Sequence, residues 1–374
     1  MKHIRILRVG WILALAMLVP GIAFMTPALA SNSAAKHVSR TTKQAYGSSL
    51  NAIVYLTTSS LAATFQNRID QQIPGAVNSA IINAVSSLPA NDRAWATEMA
   101  TTLIQPSATL ESLYPQQGGL AMSLRLSLYP GDPQAINSSM LIKFSVLNSS
   151  TAQVSAIPLN GSPSLVNGPL TTFHMPLGAL NSIYSTPGCG SSALALNLQF
   201  PVALGQTASQ VQPFTANTIK TASTNRVAGN INSFIVIPAS SLSSVGSSIG
   251  TIPVSKNITA RNVRIVVQGG NIHIYSDIYW SGFNIGTADT AASPGAAGGK
   301  LVLYVLSTNL NIFNLFSFPL NSYNQQIQQT LNAKLGNAFN GKFYVAQAGI
   351  GATGLMPCAA GNSLVLAGNI AALD

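Results

Sequence analysis

Segments in which apolar and polar residues alternate constrain this chain more than any other feature of its sequence. The clearest begins at Gly119, after which apolar residues occupy every second position: Leu120, Met122, Leu124, Leu126 and Leu128. Because successive side chains of a strand point to opposite faces, this period predicts a half-buried strand. Further strands are predicted at 140–146, 154–157, 193–200, 234–237, 263–268, 271–280, 301–306, 343–345 and 364–366. The chain is therefore expected to form an antiparallel sheet, in which 301–306, apolar on both faces, is a central strand.

Glycine and serine mark the expected turns and loops. Gly269 and Gly270 separate two predicted strands and are typical of a hairpin turn. The segment 239–251 is rich in Ser, and 286–300 is rich in Gly and Ala, so both are predicted to be loops.

Three helices are predicted, mostly before and after the strands. In the first, apolar residues recur at every fourth position: Phe65, Ile69, Ile73, Val77, Ile81 and Val85. Pro74 and Gly75 interrupt this stripe and predict a kink, or two helices at 59–73 and 75–87. A second helix is expected at 91–104, and a late one carries a further stripe: Leu320, Tyr323, Ile327, Leu331 and Leu335. This order predicts the α+β class rather than an alternating βαβ fold.

Two internal echoes raise the question of a duplicated chain. Residues 173–181 resemble 316–324, and the loop around Cys189 resembles the loop around Cys358. The two echoes have different offsets, so the sequence leaves open whether the chain has two degenerate halves, at 49–200 and 201–374.

The first thirty residues have the pattern of a secretory signal peptide. Three basic residues precede an apolar run at 11–19, and small residues at 28–30 form a cleavage site. An uncleaved anchor is the alternative, but the apolar run is short for a span of about 20 residues. We therefore predict a signal peptide at 1–30, a flexible lead-in at 31–48 and one α+β domain at 49–374. The protein is expected to be exported, and to be extracellular or part of the cell envelope.

The chain has two cysteines, Cys189 and Cys358. An even number in an exported chain predicts one disulfide, and each cysteine lies in a loop that opens a predicted strand. Two free buried thiols are the alternative.

Low charge excludes several classes of function. Only 7% of the residues are charged, against roughly 25% in an ordinary soluble domain. The net charge of +10 is spread over single residues without a basic patch, so no nucleic-acid partner is expected. No cluster with metal-ligand spacing and no cofactor-binding motif is present. We expect no catalytic residue, no metal and no cofactor.

Two patterns that could carry chemistry have simpler explanations. Residues 246–250 match the G-x-S-x-G motif around Ser248, but no His lies beyond His273 to complete a triad. His273 and Asp277 share one face of a predicted strand and could pair or bind a cation. A Ser/Gly loop and a polar strand surface are the respective alternatives.

The order of elements and two segments resemble a known family. The segment 263–277, followed by Trp280-Ser281-Gly282, and the tail 327–366 resemble the LmeA-like phospholipid-binding family. That family is similar to tubular lipid-binding (TULIP) modules, in which a long curved antiparallel sheet wraps around amphipathic helices. The resemblance is best in the C-terminal third, and the Ser/Thr/Asn-rich middle at 200–260 departs from it. It implies a phospholipid or other acyl lipid as partner, and it is compatible with peripheral membrane contact.

The leading hypothesis is an exported lipid-binding or lipid-shuttling protein with an apolar groove. The residues expected to line it are Phe65, Ile69, Ile73, Val77, Ile81, Tyr323, Ile327, Leu331 and Leu335. The same side chains would form an ordinary core if no groove exists. The alternative function is a secreted β-rich cell-surface structural or adhesion protein without a ligand, and a hydrolase using Ser248 is a third. The oligomeric state is left open.

Overall fold

A computed structural model describes residues 48–159, 168–175, 177–202, 231–248, 250–255, 257–313, 315–335, 342–354 and 356–370. The predicted signal peptide at 1–30 and the lead-in at 31–48 lie outside these residues, apart from Ser48. The described part contains the helices α1 (Thr58–Ser86), α2 (Ala90–Leu103), α3 (Ala239–Ser248) and α4 (Asn324–Leu335). None of them combines the length and the hydropathy that a helix needs to span a membrane.

Seventeen strands, all paired antiparallel, form three sheets within the described residues. The first sheet consists of β2 (Ser107–Gln116), β3 (Gly119–Ser127), β4 (Ile136–Asn148), β5 (Thr151–Pro158) and β6 (Gly168–His174), in that order. The second consists of β10 (Ile252–Ser255), β11 (Ile258–Gln268), β12 (Asn271–Trp280), β13 (Phe283–Ala297), β14 (Lys300–Ile312) and β15 (Phe316–Pro319), in that order.

The third sheet is built from strands that are distant in the sequence, in the order β16-β17-β9-β1-β8-β7. Its members are β1 (Ser48–Thr57), β7 (Ala179–Ser185), β8 (Ser192–Val202), β9 (Ser233–Ile237), β16 (Phe343–Ile350) and β17 (Leu364–Ile370). The predicted α+β class, with antiparallel sheet and helices, is confirmed.

The chain divides into two compact units, and the first contains Thr58–His174. Its helix α1 buries one apolar stripe, formed by Leu61, Ile69, Val77, Ile81 and Val85. The Gln66 side chain fixes this helix to the edge strand β2, because its Oε1 accepts from Leu110 N–H at 2.7 Å and its Nε2 donates to the Ala108 carbonyl at 3.0 Å. A polar side chain on the helix thereby completes the hydrogen bonding of a strand edge.

The second unit contains the second sheet, most of the third, and the helices α3 and α4. Its central strands β9 and β17 are almost fully buried, as an apolar run without alternation predicts. Cys189, in the loop before β8, and Cys358, in the loop before β17, form the predicted disulfide. The alternative of two free thiols was wrong.

The order of elements repeats along the chain. A strand of the third sheet, one or two helices, a meander and a closing hairpin occur first as β1 to β8, with α1 and α2, and again as β9 to β17, with α3. The two cysteine loops occupy the same place, inside the closing hairpin of each copy. The second copy inserts α4 before its hairpin, which explains why the two sequence echoes have different offsets. The predicted bounds at 49–200 and 201–374 stay predictions.

Three elements differ from the sequence-based expectation. Residues 286–297 of the expected loop at 286–300 belong to β13, because both of its neighbours supply ladder hydrogen bonds to small residues that have weak strand preference. The Ser-rich segment at 239–251 contains the helix α3, which packs on β11. At Pro74, where a kink or two helices were the alternatives, α1 continues as one helix, so the expectation of two helices is wrong and the kink stays a prediction.

Candidate functional site

The second unit contains a cavity of about 210 Å³ between α4 and the sheet β10–β15. Three neighbouring strands contribute side chains to it that are two or four residues apart on each strand, a spacing that places them on one face of the sheet. They are Ile274 and Ile278 from β12, Ala288 and Thr290 from β13, and Thr308 and Leu310 from β14. The alternation that predicts the strands therefore also builds the cavity wall.

The helix α4 and the turn before it form the opposite wall. Tyr323, Ile327 and Leu331 line the cavity, and their spacing of four residues places them on one helix face. Leu331 is buried, whereas Tyr323 is 45% exposed. The α4 side of the cavity is therefore covered at Leu331 and meets solvent at Tyr323.

Polar side chains fix α4 to strands near both ends of the sheet order. The Gln328 Oε1 accepts from Val305 N–H of β14 at 2.9 Å, and the Gln326 Nε2 donates to the Val254 carbonyl of β10 at 3.4 Å. A helix that is bonded to β10 and to β14 requires the sheet between them to curve. The helix thus completes an enclosure that the sheet alone leaves open.

The polar groups in the cavity are few and uncharged. Thr290 and Thr308 are buried on neighbouring strands, and their hydroxyl oxygens are 3.3 Å apart in a mutual hydrogen bond. The side chains of Ser276, Gln326 and Thr330 and the hydroxyl of Tyr323 are the other polar groups that help to line the cavity, and none of the described lining residues is charged. The interior is suited to an uncharged, apolar ligand.

The structure distributes the predicted groove residues over both units. Tyr323, Ile327 and Leu331 line the cavity, and the side chain of Leu335 lies outside the described part of the chain. The residues of the α1 stripe are in the first unit and do not line this cavity: Ile69, Val77 and Ile81 are buried, and Phe65 and Ile73 are half-buried. Contact of any of these residues with a lipid stays a prediction.

Sequence reasoning missed the sheet side of the cavity. Ala288 and Thr290 lie in the segment that was expected to be a loop. Ile274 and Ile278 lie in the predicted strand 271–280, on the face opposite His273 and Asp277, but only a structure reveals that α4 faces them. The sequence signal that could have indicated this wall is the alternation of side chains, with a period of two residues, in the adjacent strands.

The other candidate groups make different contacts from those expected. His273 Nδ1 lies 3.0 Å from Asp289 Oδ1 of the neighbouring strand, whereas Asp277 Oδ2 accepts from Asn262 Nδ2 at 2.7 Å. Ser248 ends α3 and does not lie at a turn from strand to helix, which the hydrolase motif requires. Among the described residues, His, Cys, Asp and Glu side chains do not assemble in groups of three or more that could hold a metal.

Comparison with known proteins gives distant structural likenesses, one of them to a lipopolysaccharide binding protein. The crystal structure of a lipopolysaccharide binding protein aligns with 87% of this chain and 98% of its own chain, with a TM-score of 0.31 and 9% identity. No protein-family model matches the sequence, and no curated protein matches it. A likeness of this size carries no argument about the ligand.

Proposed function

We propose that the protein binds lipid by holding an acyl chain in the cavity between α4 and the sheet β10–β15. The observation that carries this proposal is the chemistry of the cavity lining, which combines aliphatic side chains with uncharged polar groups. A charged ligand group would lose its hydration there without gaining a partner, at high cost. The headgroup of a bound lipid would therefore stay outside, near the exposed Tyr323.

The size of the cavity limits what it holds. About 210 Å³ is below the roughly 300–1,000 Å³ of a pocket for a drug-sized ligand, but above the ~150 Å³ that accepts benzene in an apolar core. We infer that one acyl chain, or the end of one, enters the cavity, rather than a complete phospholipid.

The ligand is held and released rather than converted in this proposal. The lining residues within the described ranges offer neutral hydroxyl and amide groups, and His, Cys, Asp and Glu are not among them. General acid–base and nucleophilic catalysis rely mostly on such side chains. The disulfide is compatible with the proposed export to an extracellular or envelope location.

Native mass spectrometry of the purified protein tests this function. We expect a mass increase that matches a fatty acid or phospholipid, either after purification or after incubation with palmitate. Organic extraction should remove the added mass. A protein that carries no lipid and takes up none would overturn the proposal and favour the ligand-free surface protein.

A further inference from the structure

Large apolar side chains are concentrated on two turns of the second sheet. They are Trp280 and Phe283 beside the turn between β12 and β13, and Phe313, Leu315 and Phe316 at the turn between β14 and β15. The exposed fraction is 58% for Trp280 and 76% for Phe283. It is 66% for Phe313, 76% for Leu315 and 61% for Phe316. We call these five residues the apolar tip.

Both turns lie at the same end of the sheet. The strand β13 starts at the first turn and runs antiparallel to β14, which ends at the second, so that Gly286 is paired with Ile312. Phe313 N–H donates to the Ile285 carbonyl at 3.3 Å and links the two turns directly. The apolar tip is therefore one surface made of two adjacent turns.

The apolar tip continues the wall of the cavity. Ile278, Ile285 and Leu310 line the cavity. Trp280 lies two residues from Ile278 on β12, a spacing at which side chains share a face, and Phe283 is paired with Trp280 on the neighbouring strand. An apolar path thus leads from the tip into the proposed acyl site.

The chemistry of the tip favours a bilayer over a protein partner. Residues 278–288 and 308–320 contain no Asp, Glu, Lys or Arg, and a charged side chain is costly in hydrocarbon. Protein interfaces surround their apolar centre with a polar rim, whereas here two narrow turns project apolar side chains. The turn backbones also have internal partners, since Ser281 N–H donates to the Asn257 carbonyl at 2.8 Å and Leu315 N–H to the Ile312 carbonyl at 3.0 Å.

We propose that the apolar tip inserts into the surface of a lipid bilayer, with the cavity held next to the membrane. Insertion of the tip stands on its own observations, whereas a role in lipid transfer rests on the proposed function. Because attachment depends on apolar burial, it needs no anionic lipid and changes little with salt.

Flotation with phosphatidylcholine vesicles tests the proposal on the complete protein. The test variant is Phe283→Asn combined with Phe313→Asn, since Asn tolerates the positive φ of 50° at Phe313. The control is Leu147→Asn combined with Ile157→Asn, which removes two exposed aliphatic side chains from the first unit. Circular dichroism and thermal unfolding establish that both variants are folded.

We expect the protein and the control variant to float with the vesicles at both about 0.1 and 0.5 M salt. The tip variant should lose at least about tenfold in its vesicle partition coefficient, because each exposed Phe contributes strongly when buried. Its uptake of palmitate in solution should be unchanged. Failure of the complete protein to float, or equal flotation of the two variants, would overturn insertion, and a protein partner would then fit the tip. Failure of the unaltered protein to take up palmitate, with flotation as expected, would contradict the proposed function and leave insertion standing.

Discussion

The side-chain amide of Asn332 is hydrogen-bonded to both backbone polar groups of Leu303. Leu303 N–H donates to Asn332 Oδ1 at 2.7 Å, and Asn332 Nδ2 donates to the Leu303 carbonyl at 3.1 Å. Leu303 pairs with β13 on one side. On its other side, β15 does not reach it, because β15 pairs only with residues 309–312 of β14, and no other described strand takes that place. Asn332 therefore replaces a strand neighbour and holds α4 against the cavity. Gln66 makes the corresponding contact between α1 and β2 in the first unit.

Replacing this amide should weaken the fold. In Asn332→Leu, the backbone groups of Leu303 lose their partners while half-covered by the helix, so we expect the free energy of unfolding to fall by about 1–3 kcal/mol. Urea denaturation followed by circular dichroism measures this change. Gln329→Leu on the exposed face of the same helix is the matched control and should stay within about 0.5 kcal/mol of the unaltered protein. Equal stability of the two variants would contradict a structural role for Asn332.

Removing the disulfide should also destabilise the protein. Cys189 and Cys358 are separated by 169 residues, and a cross-link over a loop of this size restricts the unfolded chain strongly. We expect Cys189→Ala combined with Cys358→Ala to lose about 2–5 kcal/mol in the free energy of unfolding. The unaltered protein under reducing conditions is the control and should approach the stability of the double variant. A double variant as stable as the oxidised protein would contradict this expectation.

Two glycines in helices should respond in opposite directions to the same substitution. A Cβ at Gly246 of α3 would come within 2.8 Å of Ile265 N and 3.0 Å of the Val263 carbonyl oxygen, so Gly246→Ala should force α3 away from β11. We expect a loss of about 1–3 kcal/mol. A Cβ at Gly75 of α1 meets nothing within 4 Å, so Gly75→Ala should gain up to about 1 kcal/mol from helix preference.

Thermal and urea unfolding of the two alanine variants decide this prediction. A Gly246→Ala variant as stable as the unaltered protein would mean that α3 packs more loosely on β11 than the structure indicates. It would also mean that close packing against β11 does not explain the glycine at position 246, which is the first residue of the segment that matches the hydrolase motif.

The sequence predicted those strands, turns and helices whose pattern of apolar residues or glycines lies within the element itself. The alternation after Gly119, the hairpin at Gly269 and Gly270, and the stripe of α4 all appear where the sequence places them. Each depends on neighbours within a few residues. These elements were therefore accessible without knowledge of the tertiary structure.

Elements that depend on distant partners could not be predicted. Small residues such as Ala288 have weak strand preference, and β13 forms because β12 and β14 pair with it on both sides. The expected central strand at 301–306 is buried at Leu301 and Leu303 but exposed at Tyr304 and Leu306, so its apolar residues are not all covered. A cavity between α4 and three strands likewise depends on how distant segments pack, which the apolar stripes alone do not specify.

The proposed acyl site is tested most directly by filling it from the sheet side. Ala288→Phe adds a ring on the cavity face of β13, while Ala291→Phe adds the same ring on the opposite face of that strand. The measurement is a titration of both variants and the unaltered protein with a polyene fatty acid whose fluorescence rises in apolar surroundings. Thermal unfolding establishes that each variant is folded.

We expect the unaltered protein and Ala291→Phe to bind the fatty acid with similar dissociation constants. Ala288→Phe should bind at least about tenfold more weakly, which corresponds to a loss of about 1.4 kcal/mol, because the ring occupies the space of the acyl chain. Binding by a folded Ala288→Phe variant that equals the unaltered protein, or no fluorescence rise with any of the three, would contradict an acyl site in this cavity.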